Sequence, residues 1–556
     1  MKEITIKDKG NRNVSVYKTA GCGLSLEIEN DYKNLRGVIK NWTLNIYGEQ
    51  LYNADSFDKL LNILQKIITD LDLKQYSLVK KDILVIYIDN LDKIRGFFED
   101  YITDDFTHYV QVFNFIEFRD ISTWDNELHN AAEIAEYAQF LIDNVFVPQK
   151  YFFLTPNQQV RKRIAKAAKK AGSNIAKTLF PDQYAYEYLR AGLFGGICYC
   201  PFPNLDKKEP IIEIDLDSAY IWSFLTQKHI MSKLYRVNTK NVNDYLSIRD
   251  KVSFGRYKLK FNCNTLKVGC YKDIYGHKVH LGLNEGTFIL SSIDLKILSD
   301  LVNMIDIECE SLYEADLDYL PEYIRDILID EYVKKEELKL TLGSKDRRTM
   351  LQKVRVNGIY GDSIRRYDST LEVKRAGDKA TMIPQWGILT TAYTKLVLLG
   401  LGLQIDGWYY SDTDSIYCKD TPKNRELIEK FNESIREETK EFCDRFGYDF
   451  DKLKNLGTFQ IKHEIQRFKA LGNKIYMYST GDEVKLKAAG STQTTVKKDD
   501  TLFNLKKIPV GAKTFGFIYN KSYIEITLED ENAELMEEYL IKKNELDKLR
   551  KLTGNE

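Results

Sequence analysis

Residues 409–418 read YYSDTDSIYC: two strand-favouring pairs, Tyr409–Tyr410 and Ile416–Tyr417, flank a short acidic tip. The pattern predicts a β-hairpin whose turn presents Asp412 and Asp414, where carboxylates can converge on a cation with no helix covering them. By itself an Asp-x-Asp is weak evidence, because the chain holds 82 acidic residues and a solvated surface turn would explain it. Upstream, IIEIDLDSAY at Ile211–Tyr220 ends an apolar strand at Asp215, so that this carboxylate stands where a buried strand opens into a cleft. Between the two, KVRVNGIYGD spaces Lys353, Asn357 and Tyr360 at i, i+4 and i+7, which is one face of a helix that Gly361 closes. An ammonium, an amide and a phenol on one helical face suit a triphosphate and a base better than they suit a core. Two-metal nucleotidyl transfer needs carboxylates around divalent ions ~3.5–4 Å apart, a cation on the incoming phosphates and a wall for the sugar and base. The three stretches supply each part.

Length and composition bound the rest. A chain of 556 residues exceeds one core at ~100–200 residues per domain, so three or more domains are expected. With 43% hydrophobic, 12% aromatic and 29% charged residues, disorder, a collagen-like repeat and a coiled coil are excluded. No run approaches the ~18 apolar residues of a membrane helix, and the opening MKEITIKDKGNRNV has no apolar h-region, so a cytoplasmic location without membrane partners is expected. The eight cysteines form no CxxC pair, which argues against a zinc site or disulfide frame. Lys and Arg total 81, and the net charge of -1 leaves nucleic-acid binding to local distribution. Gly457–Thr527 carries twelve basic against six acidic residues, read either as a solvated surface or as a groove that neutralises phosphates.

Along the chain, strand-like Lys81–Ile88 and helical Ala131–Val145 indicate an α/β domain in the first ~170 residues. A basic helical run, Gln159–Lys169, then leads to a tight turn at Gly195-Gly196. A long polar helical run is expected over Asp330–Tyr360 and another helix near Gly387–Leu403. Asn532–Leu552, Glu/Lys-rich with leucines at helical spacing, reads as a surface helix.

DLDSAY, KVRVNGIYG and YSDTDS, in this order, resemble motifs A, B and C of family B DNA polymerases. NKIYMY resembles the Lys-x-Tyr element that contacts the primer terminus, through Lys474 and Tyr476, and LKAAG with Lys487 resembles the Lys-Ala-Gly turn of the short thumb in protein-primed phage enzymes. Leu193–Gly196 resembles the Tyr-x-Gly-Gly linker turn, with Leu193 in place of Tyr and Gly195 and Gly196 kept as DNA contacts. The resemblance covers almost the whole chain up to about Glu529. It implies an α/β and α+β multidomain fold: an RNase H-like exonuclease-type domain, then a right-hand polymerase with ferredoxin-like palm, fingers and thumb. The implied boundaries are 1–175 for the exonuclease-like domain, 176–225 for the linker and first palm segment, and 226–322 for a priming-protein docking insertion. The fingers follow at 323–362, the second palm segment at 363–456, the thumb at 457–529 and a helical tail at 530–556. The 362–384 connection is short for a second, strand-separating hairpin insertion.

The resemblance further implies roles. Asp215 and Asp414, with the Leu216 backbone carbonyl, would hold two Mg²⁺ or Mn²⁺ ions, and Asp412 would be a supporting carboxylate. Tyr220 would be the steric gate under the deoxyribose, Lys353 would face the phosphates with Lys334 or Lys335, and Asn357 and Tyr360 would line the nascent pair. Two positions depart from the pattern: Ile221 replaces Pro and Gly358 replaces Ser. The exonuclease motifs are degenerate, with Glu27 and Glu29 at the first, Ile94 at an Asp position, and Glu133 at the last; Asp89 or Asp92 would have to substitute for the missing ligand. The expectation is a monomeric DNA-templated DNA polymerase of a phage or mobile element in a bacterial host, using primer-template DNA, deoxynucleoside triphosphates and a terminal priming protein, with little or no proofreading. The alternatives are a reverse transcriptase-like palm enzyme and a non-catalytic DNA-binding protein that keeps the fold.

Overall fold

The computed structural model describes residues 2–7, 13–19, 21–31, 36–48, 51–73, 82–89, 115–121, 130–144, 148–149, 152–153, 156–199, 205–237, 251–263, 282–367, 369–472, 474–481, 483–488, 494–497, 503, 513–519 and 522–528. The chain divides into two compact units, one of Met1–Thr155 with Gly490–Thr492 and Val510–Glu556, the other of Pro156–Ala489 with Gln493–Pro509. No helix among the described residues is long and apolar enough to cross a membrane.

The first unit is built on a seven-stranded mixed sheet. Cys22–Asp31, Arg36–Ile46 and Leu51–Ala54 form an antiparallel meander. Asp82–Ile88 runs parallel to Cys22–Asp31 on its other side and parallel to Ile116–Asp120 beyond. Asp82–Ile88 is an unbroken apolar run with Leu84–Ile88 buried, the composition of a parallel strand covered on both faces. The helix Phe57–Asp70 starts at Ser56, whose side chain accepts from Lys59 N, and buries Leu60, Leu61, Leu64 and Ile67 with Trp42, Leu44 and Ile86. The helix expected over Ala131–Val145 is observed at Ala131–Asn144. It lies so close to the sheet that a Cβ on Gly23 would stand 2.3 Å from Ala131 O.

In the second unit the hairpin anticipated at 409–418 forms from Trp408–Thr413 and Ser415–Lys419. It lies in a five-stranded antiparallel sheet in the order Ile197–Tyr199, Trp408–Thr413, Ser415–Lys419, Ile211–Leu216, Phe459–Ile465. Ala219–Thr226, Pro384–Gly402 and Pro422–Phe446 are helices of the same unit and share its core through Trp222, Phe224, Trp386, Leu389, Ile428 and Phe442. Pro384 opens its helix at the first turn, where a missing N–H costs nothing. A second sheet contains Leu205–Lys207, Arg467–Gly472, Ile475–Thr480, Glu483–Ala488 and Thr494–Lys497. A third has Lys251–Cys263, Gly282–Ser291 and Asn303–Asp318 as its long strands, all within residues 226–322. Its helix, Ser292–Leu301, is fixed to Pro384–Gly402 by a buried pair, Lys395 Nζ to Asp294 Oδ1 at 2.5 Å.

The helical run expected over Asp330–Tyr360 is two helices, Glu322–Leu342 and Arg347–Ser363, because Gly343 takes a left-handed φ of 89° between them. The 362–384 connection contains a short helix, Thr370–Asp378. Two expected boundaries move. The break placed at 175 falls instead at 155–156, because the basic helix Pro156–Lys170 buries Val160 and Ile164 in the second unit's core and ties Arg161 to Asp362. The expected thumb does not run continuously to 529. The antiparallel hairpin Lys513–Tyr519/Ser522–Leu528 belongs to the first unit, where Ser522–Leu528 lies beside Arg36–Ile46. A lone two-stranded hairpin is marginal in water, which is a reason for it to lie on a sheet. The expected tail, 530–556, lies outside the described residues.

Glu331 joins three helices. Its carboxylate, 2% exposed, accepts from Arg355 Nε and NH2 at 2.8 Å each, from Gln352 Nε2 at 2.8 Å and from Arg163 NH1 at 3.0 Å. Burial disfavours its charge, yet the Arg355 and Arg163 guanidinium groups and the Gln352 amide hold the carboxyl below the ordinary glutamate value of 4.5. Glu331→Ala should therefore cost about 3–5 kcal/mol by leaving two guanidinium groups partly unpaired, and lower the thermal midpoint by about 5 °C. A carboxyl whose value is lowered on folding stabilises above its unfolded value and loses that contribution as acid protonates it. The gap between wild type and Glu331→Ala should thus be full at pH 7 and shrink progressively below about pH 4.5. A calorimetric pH series that found a constant gap would contradict this role.

Candidate active site

Asp215 is the penultimate residue of Ile211–Leu216, paired with Ser415 on one side and Gln460 on the other, so it lies on an interior strand of the sheet, next to the edge. Asp412 and Ser415 face each other, leaving Thr413 and Asp414 as the hairpin tip. Leu216 N donates to Asp414 O at 3.0 Å, which fixes the tip beside the residue that follows Asp215. Gly196 makes the third side: a Cβ there would lie 2.6 Å from Thr413 Cγ2 and 2.9 Å from Thr413 Cα. The glycine turn is thus needed for close packing against the aspartate tip; at Gly195 a Cβ would meet nothing. Of the four non-glycine residues with positive φ among the described residues, Ser218, Thr413 and Lys474 are at this centre. Backbone held in sparsely populated conformations concentrates at functional sites.

These elements enclose a cavity of about 360 Å³ lined by Asp215, Leu216, Tyr220, Lys353, Asn357 and Asp414, together with Asp217, Lys335, Lys339 and Lys462. Burial pushes the Asp414 carboxyl up to about 7, and the charge of Asp215 adds to the rise. Burial likewise raises Asp215, against the opposing pull of Lys462 and Lys353. Two half-buried carboxylates that repel each other in one cavity form a site whose charge a divalent cation would relieve. No group of three or more His, Cys, Asp or Glu side chains that could hold a metal occurs among the described residues; the carboxylates lining this cavity are Asp215, Asp414 and Asp217, and Asp217 accepts from Tyr332 OH at 3.1 Å.

Lys353 and Asn357 share the exposed face expected of them. Tyr360, on the same helix, does not line the cavity: its ring stacks on Tyr220 at 3.9 Å between centroids and 21° between planes, and its hydroxyl is 2.7 Å from Thr391 Oγ1. It backs Tyr220, fixing the ring that does face the cavity. At Gly358 a Cβ would lie 1.8 Å from Asn157 Oδ1 of the basic helix, the tip of an exposed side chain that can swing aside.

Three expectations, for Asp412, Tyr476 and Lys334, are corrected. Asp412 is not part of the cavity; it lies 3.6 Å from Lys474 Nζ and 3.5 Å from Lys487 Nζ, so its charge is spent on those two lysines. Tyr476 is 1% exposed, packed among Tyr410, Tyr417, Phe468 and Tyr478, and its hydroxyl accepts from Tyr417 at 3.2 Å, so its ring has no free face for a primer. Lys334 is exposed and away from the cavity, whereas Lys335 enters it, bonded to Ser218 Oγ, 3.7 Å from Asp217 and 2.8 Å from Glu336. The exonuclease carboxylates do not gather. Glu27 and Glu29 are exposed on Cys22–Asp31, Glu29 pairs with Lys40 at 2.6 Å, and Glu133 is on the exposed face of a helix that turns Ala131, Ile134 and Ala138 inward. Asp89 ends its strand half-buried; Asp92 and Ile94 lie outside the described residues.

Asp217 and two lysines of the cavity carry no expectation from the sequence. Lys339 follows Lys335 at i+4, a spacing that would have placed both on one helical face. Lys462 had no signal beyond its membership of a basic region.

No protein-family model matches the chain, and no curated protein matches it. Solved structures do. Phi29 DNA polymerase complexed with primer-template DNA superposes with a TM-score of 0.58 at 13% identity, covering 91% of this chain and 98% of that one. Phi29 DNA polymerase complexed with primer-template DNA and incoming nucleotide substrates gives a TM-score of 0.56 at 12% identity, covering 92% and 98%. With single-stranded DNA the same polymerase gives 0.57 at 13% identity, covering 91% and 99%. The likeness extends over most of both chains and shows the fold; the chain is a mixed α/β multidomain protein folded like Phi29 DNA polymerase.

Proposed function

We propose that this chain, proceeding from that fold, is a DNA-templated DNA polymerase that adds deoxynucleotides to a 3′-hydroxyl. The observation that carries the reading is the cavity in which Asp215 and Asp414 face Lys353, Asn357 and Tyr220. In this reading the five-stranded sheet is the palm, the Glu322–Leu342 and Arg347–Ser363 helices are the fingers, and the 226–322 insertion is the priming-protein dock. The meander followed by two parallel strands in the first unit is compatible with an RNase H-like domain.

Asp215, Asp414 and the Leu216 carbonyl would hold Mg²⁺ or Mn²⁺. Bound there, such ions would supply activation of the 3′-hydroxyl and charge neutralisation on the leaving pyrophosphate. The chain's own groups do the rest. Lys353 and Lys339 present ammonium groups to the triphosphate, and Asn357 offers an amide to the sugar or base edge. Tyr220, held by its stack on Tyr360, places an aromatic face under the sugar. Asp412 holds Lys474 and Lys487 together, so that two ammonium groups are fixed near the aspartate tip for the primer backbone. Incorporation of the complementary deoxynucleotide opposite each template base tests the proposal.

Tyr220→Ala should raise acceptance of ribonucleotides at least about tenfold relative to deoxynucleotides, because removing the phenol opens room for a 2′-oxygen. The ratio of dGTP to GTP incorporation measures it, and an unchanged ratio would move the gate elsewhere. The scattered exposure of Glu27, Glu29 and Glu133 supports a first unit without proofreading chemistry. A 3′-mismatched primer incubated with Mn²⁺ and no nucleotide should stay intact; shortening abolished by Glu29→Ala would show an active exonuclease.

A further inference from the structure

Lys462 is the cation in the cavity that the polymerase motifs leave without a role. It stands on Phe459–Ile465, the edge strand beside Ile211–Leu216, two residues past the partner of Asp215. Its Nζ lies 3.6 Å from Asp215 Oδ2, with both side chains about one third exposed, 34% and 32%. The other lysines are placed differently. Lys335 is held by Ser218, Asp217 and Glu336, Lys339 by Glu336, and Lys353 approaches from the facing helix. Among the described residues no cationic group forms an ion pair with Asp414. The two carboxylates are thus unequal: among the described residues only Asp215 has an ion-pair partner, while Lys353 acts on both from a greater distance.

We propose that Lys462 is a built-in counter-ion that stands in for metal at Asp215 and sets the affinity of the carboxylate pair for divalent cations. A metal entering between Asp215 and Asp414 must displace the ammonium or accept its repulsion at short range. Weak occupancy by metal alone follows. When a triphosphate arrives, its oxygens offer the released ammonium a second partner, so metal retention is coupled to nucleotide arrival. The inference rests on the reading of Asp215 and Asp414 as metal ligands. It makes Lys462 a positioning residue acting through Asp215.

The test uses the full chain without DNA or nucleotide and follows free Mn²⁺ by electron paramagnetic resonance. Lys462→Gln should bind Mn²⁺ at least about fivefold more tightly than wild type, and the difference should narrow in high salt, because the pair is partly exposed. Lys462→Arg, which keeps the charge, should bind as wild type does, and Asp414→Asn should lose the site in either background. A lysine that merely braced the strand would give the opposite sign, weaker binding on removal. Unchanged or weaker binding in Lys462→Gln, with Asp414→Asn still abolishing it, would overturn the counter-ion role and leave the metal site standing. Equal Mn²⁺ binding by wild type and Asp414→Asn would overturn both.

Discussion

Asp414→Ala, like Asp215→Ala, is expected to lower nucleotide addition by about 10³-fold or more while leaving primer-template binding within a few fold of wild type. In the proposed function, affinity for DNA would come from cations such as Lys474 and Lys487, which neither substitution touches. The same substitutions should not destabilise the protein. Asp414 is half-buried, raised to about 7 and repelled by Asp215, so its removal relieves an unfavourable charge. Asp414→Asn should melt at or above the wild-type temperature at pH 8. A lost activity accompanied by a lost fold would mean that the aspartates are structural.

The second large effect is at Lys353. Its ammonium lines the cavity opposite the two aspartates and acts electrostatically on both. Lys353→Ala should reduce kcat/KM for the incoming nucleotide about 100-fold, because a preorganised charge aimed at the phosphates is lost where water is partly excluded. Lys353→Arg should recover part of it. The residue is exposed on its helix, so the melting temperature should move little. Steady-state kinetics with one templated nucleotide would measure the effect; a full-rate Lys353→Ala enzyme would remove Lys353 from the phosphate site.

The parts of this site that short-range pattern controls were legible from sequence. A strand ending in Asp215, a hairpin tip at Asp414, and a helical face of Lys353 and Asn357 each follow from spacing within about ten residues, and the structure brings all of them to one cavity. What was not legible depends on partners far along the chain. Asp412 is claimed by lysines more than sixty residues away, and Tyr476 is buried by a ring cluster drawn from several strands. The division at 155–156 is dictated by Val160 and Ile164 packing into a core that only the tertiary fold assembles. The break at Gly343 was visible as a glycine but was outweighed by the helical propensity around it. In the first unit, strand and helix positions followed periodicity. The facing of Glu133 depended on which side of its helix met the sheet, and the inward alanines decided that.

The most direct test of the account is extension of a 5′-labelled DNA primer on a DNA template with Mg²⁺ and four deoxynucleoside triphosphates, using wild type beside Asp215→Ala and Asp414→Ala. The account predicts template-directed extension by wild type, with the complementary nucleotide added at each step, and none by either variant. DNA binding without extension by the folded wild-type protein, or extension that survives loss of either aspartate, would contradict it.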